Sequence, residues 1–285
     1  MKVLDGKIVR DKIAEGLAKK VAGFDKKPKL AIVQVGHLPE SDIYIGQKKI
    51  WAEKMGIEVL HEIVDEKTSE ENFIKKIKEL NSDKSVHGII VQLPIPQKFD
   101  QYKIIESIDP VKDVDGLTSE NVKKLLNNVL GGHVPATAKG IITLLDYYKI
   151  PISGKKAVIV GRSNLVGKPS VLCFLNRDAT VSVCHKKTKK LSEEIKNADI
   201  IVVAVGSAKL IKKNFVKKGQ IIIDVGINSV KGTHKAVGDV DFENVKKIVK
   251  AVSPVPGGVG PMTVVTLFQN LVDAYLKLEK YDLPQ

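Results

Sequence analysis

The stretch V-I-V-G-R-S-N-L-V-G-K-P, residues 158–169, decides the fold. Strand-forming residues from Lys156 to Val160 empty into a glycine loop, and a helical pattern follows. A tight turn leading into a helix whose first N–H groups face a pyrophosphate is the physical requirement for holding a dinucleotide. Gly161 supplies the turn and Gly167 allows close packing of helix on sheet. Ser163, Asn164 and Val166 lie at the helix entrance. The loop has two glycines rather than the three of G-x-G-x-x-G, so a plain structural turn would read much the same. The next strand sharpens the reading. It ends in Cys184-His185-Lys186-Lys187, with no acid at its tip. An Asp or Glu there would accept from the ribose hydroxyls of NAD. A basic tip, joined by Arg162, suits the 2′-phosphate of NADP. For any single lysine of that run, a solvated loop is an equally good account.

Outward from this unit, strand and helix patterns alternate, which points to α/β with a parallel sheet. The patterns predict strands at 30–35, 58–64, 88–92, 156–160, 180–183, 200–205 and 220–225. Helices are predicted at 9–21, 41–55, 69–80, 138–148, 166–176 and 262–279. The segment G-G-H-V-P-A-T-A-K-G breaks the rhythm near 135–139. The expected architecture is two α/β lobes with a cleft between them, the C-terminal lobe a Rossmann-type parallel sheet. Residues 1–136 form the first lobe, with the last helix, 264–285, packing back on it. Residues 137–263 form the second. Two more strand ends, Gly206-Ser207 and Gly226-Ile227, fall where open α/β sheets bind ligands.

Composition narrows the classes. No apolar run approaches the ~20 residues of a membrane span. The N-terminus lacks a signal-peptide core. Cys173 and Cys184 make no C-x-x-C pair and no disulfide framework. A cytoplasmic protein without a metal is expected. The net charge of +13 favours an acidic partner. The lysines are dispersed and aromatics make up only 5%, so a nucleic-acid partner, which wants stacking rings, is not expected.

In the first lobe, S-D-I-Y-I-G-Q-K (41–48) reads as a helix start with Ser41 as N-cap. Ser41, Tyr44 and Lys48 at i, i+3 and i+7 share one face, suited to a flat polar substrate. A packed tyrosine and a snorkelling lysine would give the same pattern. H-G-I-I-V-Q-L-P-I-P (87–96) is a short buried strand stopped by proline, which presents Gln92 at its tip. D-P-V-K-D-V-D-G-L-T (109–118), which contains K-D-V-D-G (112–116), holds a tight loop in which Asp109 and Asp113 read as turn formers and Asp115 as the ligand-facing acid. P-V-P-G-G-V-G-P-M-T (254–263) is bare and stiff, as close backbone approach to a ligand requires.

These motifs, with A-T-V-S-V-C-H (179–185), D-V-G-I-N (224–228) and G-D-V-D-F (238–242), span nearly the whole chain in order. Together they resemble the tetrahydrofolate dehydrogenase/cyclohydrolase family. The resemblance implies NADP-linked oxidation of 5,10-methylenetetrahydrofolate and hydrolysis of the methenyl product to 10-formyltetrahydrofolate, in one-carbon metabolism and purine biosynthesis. It implies that Lys48 is the central catalytic residue, that Gln92 tunes it, and that Tyr44 stacks on the aminobenzoyl ring. Asp115 would hold the pterin. Ser41, Leu93, Pro94, Pro256, Gly257 and Gly258 would complete the substrate site. The cofactor would meet Gly161, Arg162, Ser163, Val166, Gly167, His185, Lys186, Gly206, Ser207, Gly226, Ile227 and Thr263. A homodimer through the cofactor domain is also implied. The chain departs from the family pattern at Pro135-Ala136-Thr137-Ala138, where P-C-T-P is common, and at Asn121-Val122-Lys123, which lacks the usual glycine. A dehydrogenase with impaired cyclohydrolase activity is therefore the alternative.

Overall fold

The computed structural model describes residues 1–229 and 236–279, with Glu40 described in its backbone only. The strands are β1 (Lys2–Val3), β2 (Lys29–Val35), β3 (Glu58–Val64), β4 (Gly88–Val91), β5 (Lys156–Val160), β6 (Thr180–Cys184), β7 (Ile200–Val203), β8 (Ile221–Asp224), β9 (Asn228–Ser229), β10 (Ala236–Val237) and β11 (Ala251–Val252). The helices are α1 (Gly6–Val21), α2 (Pro39–Lys54), α3 (Glu70–Ser82), α4 (Gln101–Glu106), α5 (Ser119–Leu126), α6 (Ala136–Tyr147), α7 (Gly167–Leu175), α8 (Leu191–Lys196), α9 (Phe242–Val245) and α10 (Val259–Leu278). The chain divides into two compact units, Lys12–Ala136 with Val264–Gln285, and Met1–Asp11 with Thr137–Thr263. Of the expected C-terminal stretch 264–285, residues 280–285 lie outside the described residues.

The first unit is built on a parallel sheet in the order β3-β2-β4. The central strand, L-A-I-V-Q-V after Lys29, is buried along its length, as a parallel strand covered on both faces must be. Helix α3 covers one face with Phe73, Ile77 and Leu80, spaced at i, i+4 and i+7. Its first turn is capped by Ser69, whose Oγ accepts from the Asn72 N–H. Its far end is capped by Lys112. That buried ammonium donates to the carbonyls of Asn81 at 2.7 Å and Asp83 at 2.8 Å.

The second unit is a six-stranded parallel sheet, order β1-β11-β8-β7-β5-β6 among the described residues. From β5 the chain steps outward to β6, then crosses to the other side at β7. The loop after β5 therefore sits at a topological switch point, where such sheets bind ligands. Val158, Val160, Ile201, Val203 and Ile222 form the middle of the core.

Three expectations need correction. Residues 1–11 belong with the second unit rather than with the segment that follows them, because β1 pairs with β11 (Lys2 opposite Ala251). Ser41 is not an N-cap: α2 begins at Pro39, with Leu38 as its cap, and Ser41 is buried inside the first turn. Proline's fixed φ pre-forms a first helical position, which moves the start upstream. Finally, α4, α5, α8 and α9 were not expected, since helices of four to eight residues carry too little periodicity to register.

Candidate active site

In the first unit, α2 brings Lys48 to the tip of β4. Lys48 Nζ donates to Gln92 Oε1 at 2.8 Å. Gln92 is buried, and its orientation is set from both ends. Its backbone N–H donates to the Val33 carbonyl at 2.8 Å, and its Nε2 donates to the Leu93 carbonyl at 2.8 Å. The amide oxygen is thereby turned toward the lysine. Helix α2 is itself tied to the sheet. Gln34 of β2 donates to Asp42 at 2.8 Å and accepts from His61 Nε2 of β3 at 2.8 Å, while His61 Nδ1 accepts from Lys49 at 2.9 Å. Burial, and then the Lys49 charge, hold His61 below its ordinary pKa, which suits this neutral, accepting role.

Asp115 projects from a loop folded around its neighbour. The carboxylate of Asp113, buried, accepts from the N–H of Gly116 at 3.0 Å, the N–H of Thr118 at 2.7 Å and Asn121 Nδ2 at 2.9 Å. Asp109 accepts from the Val111 N–H, so both acids are turn formers as expected. Gly116 has φ of +73°, and a Cβ there would lie 2.7 Å from the His133 carbonyl oxygen, so the loop requires glycine. From α10, Asn270 donates to the carbonyls of Val114 and Val134, both at 2.9 Å. Asn121 and Asn270 thus fix the Asp115 loop. Neither role was legible in the sequence: Asn121 read only as part of a departure from the family pattern, and Asn270 acts on backbone groups more than 130 residues away. The Asp115 carboxylate has no hydrogen-bond partner among the described residues.

Burial acts on the two central groups in opposite directions, toward the neutral form of each. It lowers the Lys48 pKa, with the Asp115 charge pulling back. It pushes the Asp115 carboxyl up to about 6, with Lys48 opposing and Asp113 adding to the rise. A carboxyl whose pKa is higher folded than unfolded binds more protons in the native state between those two values. Stability then falls as pH rises through that window, from about 4 to about 6. Asp115→Asn is therefore expected to raise Tm at pH 8, and the gain should fade as the pH approaches 4. Thermal melts of both proteins across that range check it.

Of the other substrate-facing residues predicted, Tyr44 is exposed one turn before Lys48, Ser41 is buried, and Leu93-Pro94 follows Gln92 through a cis bond. Pro256, Gly257 and Gly258 belong to the second unit, where the Gly257 carbonyl accepts from the Gly6 N–H at 2.8 Å.

The second unit also carries the predicted cofactor residues. Gly161 has φ of +131°, and a Cβ there would overlap the Ala204 carbonyl. Ser163 Oγ accepts from the Val166 N–H at 3.2 Å and closes the turn into α7, whose first residue is Gly167. The β5–β6 register pairs Val160 with Cys184, and the Gly161 N–H donates to the Cys184 carbonyl at 2.9 Å. Arg162 and Lys186 therefore each stand two residues beyond the same rung of the sheet. Both are exposed, and neither makes an ion pair among the described residues. Gly206, Ser207, Gly226 and Ile227 follow the ends of β7 and β8, His185 follows β6, and Thr263 Oγ1 is 3.2 Å from Thr137 Oγ1. The bare glycine turn and two unpaired cations fit a phosphorylated dinucleotide. Among the described residues, no group of three or more His, Cys, Asp or Glu gathers as a metal site. No described helix is long and apolar enough to cross a membrane.

Residues 4–115 match the model of the tetrahydrofolate dehydrogenase/cyclohydrolase catalytic domain, and residues 135–279 that of its NAD(P)-binding domain. The Bifunctional protein FolD of Aquifex aeolicus is 46% identical over 277 residues, covering 96% of this chain and 94% of that protein. The structure of the bifunctional FolD methylenetetrahydrofolate dehydrogenase/cyclohydrolase from Campylobacter jejuni superposes with a TM-score of 0.94 at 43% identity, covering 97% and 99% of the two chains. That of the Trypanosoma brucei dehydrogenase-cyclohydrolase, complexed with NADP and an inhibitor, gives 0.93 at 31% identity, covering 96% and 97%.

Proposed function

The chain belongs to the tetrahydrofolate dehydrogenase/cyclohydrolase family, and from that premise we infer what its residues do. The enzyme oxidises 5,10-methylenetetrahydrofolate to the 5,10-methenyl cation with NADP, then hydrolyses the cation to 10-formyltetrahydrofolate. Bound NADP supplies the acceptor for the hydride that leaves the bridging carbon.

Loss of that hydride builds positive charge on the folate. A protonated lysine ~4 Å away would oppose it by about 4 kcal/mol at an effective dielectric of ~20. The single observation that carries the reading is the Lys48–Gln92 hydrogen bond at 2.8 Å, beside the half-buried Asp115. Burial drives Lys48 toward the neutral amine. A neutral amine that gives one N–H to Gln92 keeps its lone pair. That lone pair takes a proton from water as the water oxygen bonds to the methenyl carbon. The bond from that carbon to N5 then breaks, N5 is protonated, and the formyl group stays on N10. Asp115 accepts from the pterin, and Tyr44 offers a ring to the aminobenzoyl group.

The reading extends to a homodimer formed through the cofactor-binding unit. Its support is β6, an edge strand of the six-stranded sheet with Thr180, Ser182 and Val183 exposed. It extends also to a cytoplasmic location and to a supply of formyl groups for purine biosynthesis. An absorbance assay with methylenetetrahydrofolate and NADP tests the core of it. Reduction of NADP with formyl product and little standing methenyl intermediate is expected. No folate-dependent reduction would reject the dehydrogenase, and stoichiometric methenyl accumulation would reject the second activity.

A further inference from the structure

We propose that Asp239 is a positioning residue for the cofactor: a buried carboxylate that holds the loops after β7 and β8 in the shape NADP requires. The proposal rests on the assignment of NADP to this unit. Asp239 lies in the G-D-V-D-F motif and is fully buried. Its Oδ2 accepts from the N–H groups of Val205 at 2.8 Å and Gly206 at 3.0 Å. Its Oδ1 accepts from the Ser207 N–H at 2.7 Å and from Asn228 Nδ2 at 2.9 Å. Three successive backbone N–H groups make a concave site for an anion. Here the chain's own carboxylate fills it from below, while Gly206 and Ser207 stay exposed above.

The approach is built in from several sides. A Cβ on Gly226 would overlap the Asp239 carboxylate, so glycine is what lets the β8 loop close over it. The backbone of Asp239 is held in turn by Asp224 at the end of β8. Asp224 accepts from the N–H groups of Asp239 at 3.0 Å and Val240 at 2.9 Å. The Asp239 carbonyl accepts from the Ile211 N–H at 3.0 Å. Asp239 thus ties together two of the strand-end loops assigned to the cofactor, and it is wholly beneath them. The N–H groups of residues 205–207 are consumed by Asp239, so this loop meets the cofactor through its exposed surface rather than by donating those three bonds to phosphate.

Asp239→Asn tests this with near-constant volume. Whichever way the amide turns, its NH2 faces two donors, so the loop must open. NADP affinity, measured by titration of the full-length enzyme, is expected to weaken by about tenfold or more. The KM for NADP should rise in parallel, with kcat at saturating cofactor much less affected. Hydrolysis of added methenyltetrahydrofolate consumes no cofactor and should be unchanged. Unchanged NADP affinity would overturn the proposal. So would equal losses in both activities, which would mark a general structural role. If Asp239→Asn does not fold, Asn228→Ala, which removes one of the four donors, is expected to give a smaller rise in the NADP dissociation constant, and no rise overturns the proposal. If the unmodified enzyme binds NAD and not NADP, the cofactor assignment fails instead, and the same variants are read against NAD.

Discussion

Lys48→Met is expected to lower the rate of methenyltetrahydrofolate hydrolysis by at least ~10³ while leaving the fold intact. A general base in this position contributes ~10² to 10⁴. Methionine matches the lysine stem in length and flexibility and cannot accept a proton. The fold should tolerate the change because Lys48 is half-buried and, among the described residues, its side chain bonds only Gln92, which keeps its own bonds to Leu93 and Val33. Methenyl intermediate should accumulate, visible by its absorbance. In the unmodified enzyme, hydrolysis should climb with pH as the amine deprotonates, beginning below the usual lysine range because burial lowers its pKa. That limb should vanish in the variant. Normal turnover by Lys48→Met would remove the amine from the mechanism.

The second large effect concerns cofactor choice. The paired replacement of Arg162 and Lys186 by alanine is expected to raise the KM for NADP by ~10- to 100-fold and to leave the KM for NAD nearly unchanged. Each charge-assisted bond to a phosphate contributes ~1.5–3 kcal/mol when desolvated, and less at an exposed position. With 1.4 kcal/mol per factor of ten, two partly screened contacts give the range stated. The geometry is the reason to expect joint action: the rung Val160–Cys184 places both cations at the same end of adjacent strands. The effect should shrink as ionic strength rises, because an exposed pair is screened. Equal losses with NAD and NADP would mean that these side chains do not read the 2′-phosphate.

The parts of the molecule that sequence made visible are those encoded locally. The β5–loop–α7 unit is written in twenty consecutive residues, 156–175, and the tip of β4 is announced by the prolines that stop it. Lys48 and Gln92 could be assigned separately, although only folding puts them 2.8 Å apart. What stayed hidden depends on distant partners. Asn270 reaches the Asp115 loop across 156 residues, and Lys112 caps a helix that ended some thirty residues earlier. Asp113 reads as a turn former from its neighbours, but Asn121, whose family counterpart region carries a glycine, reads as a mere departure. In the structure Asn121 bonds Asp113, the Pro110 carbonyl and the His133 N–H, so the substituted loop is anchored rather than loosened. The two-residue strands β1 and β11 are too short to carry any alternation.

The pairing of β1 with β11 bears on how the protein can be made and cut. On the ribosome, Lys2 is synthesised 249 residues before its neighbour Ala251. The larger sheet can therefore close only once Ala251 has been made, and it is a slow, non-local closure of the kind that delays folding. A fragment spanning 137–263 alone would leave the outer side of β11 bare, an open edge that invites aggregation. Dissecting the enzyme for biophysics calls for a circularly rearranged or tethered version that restores residues 1–11, not for simple truncation.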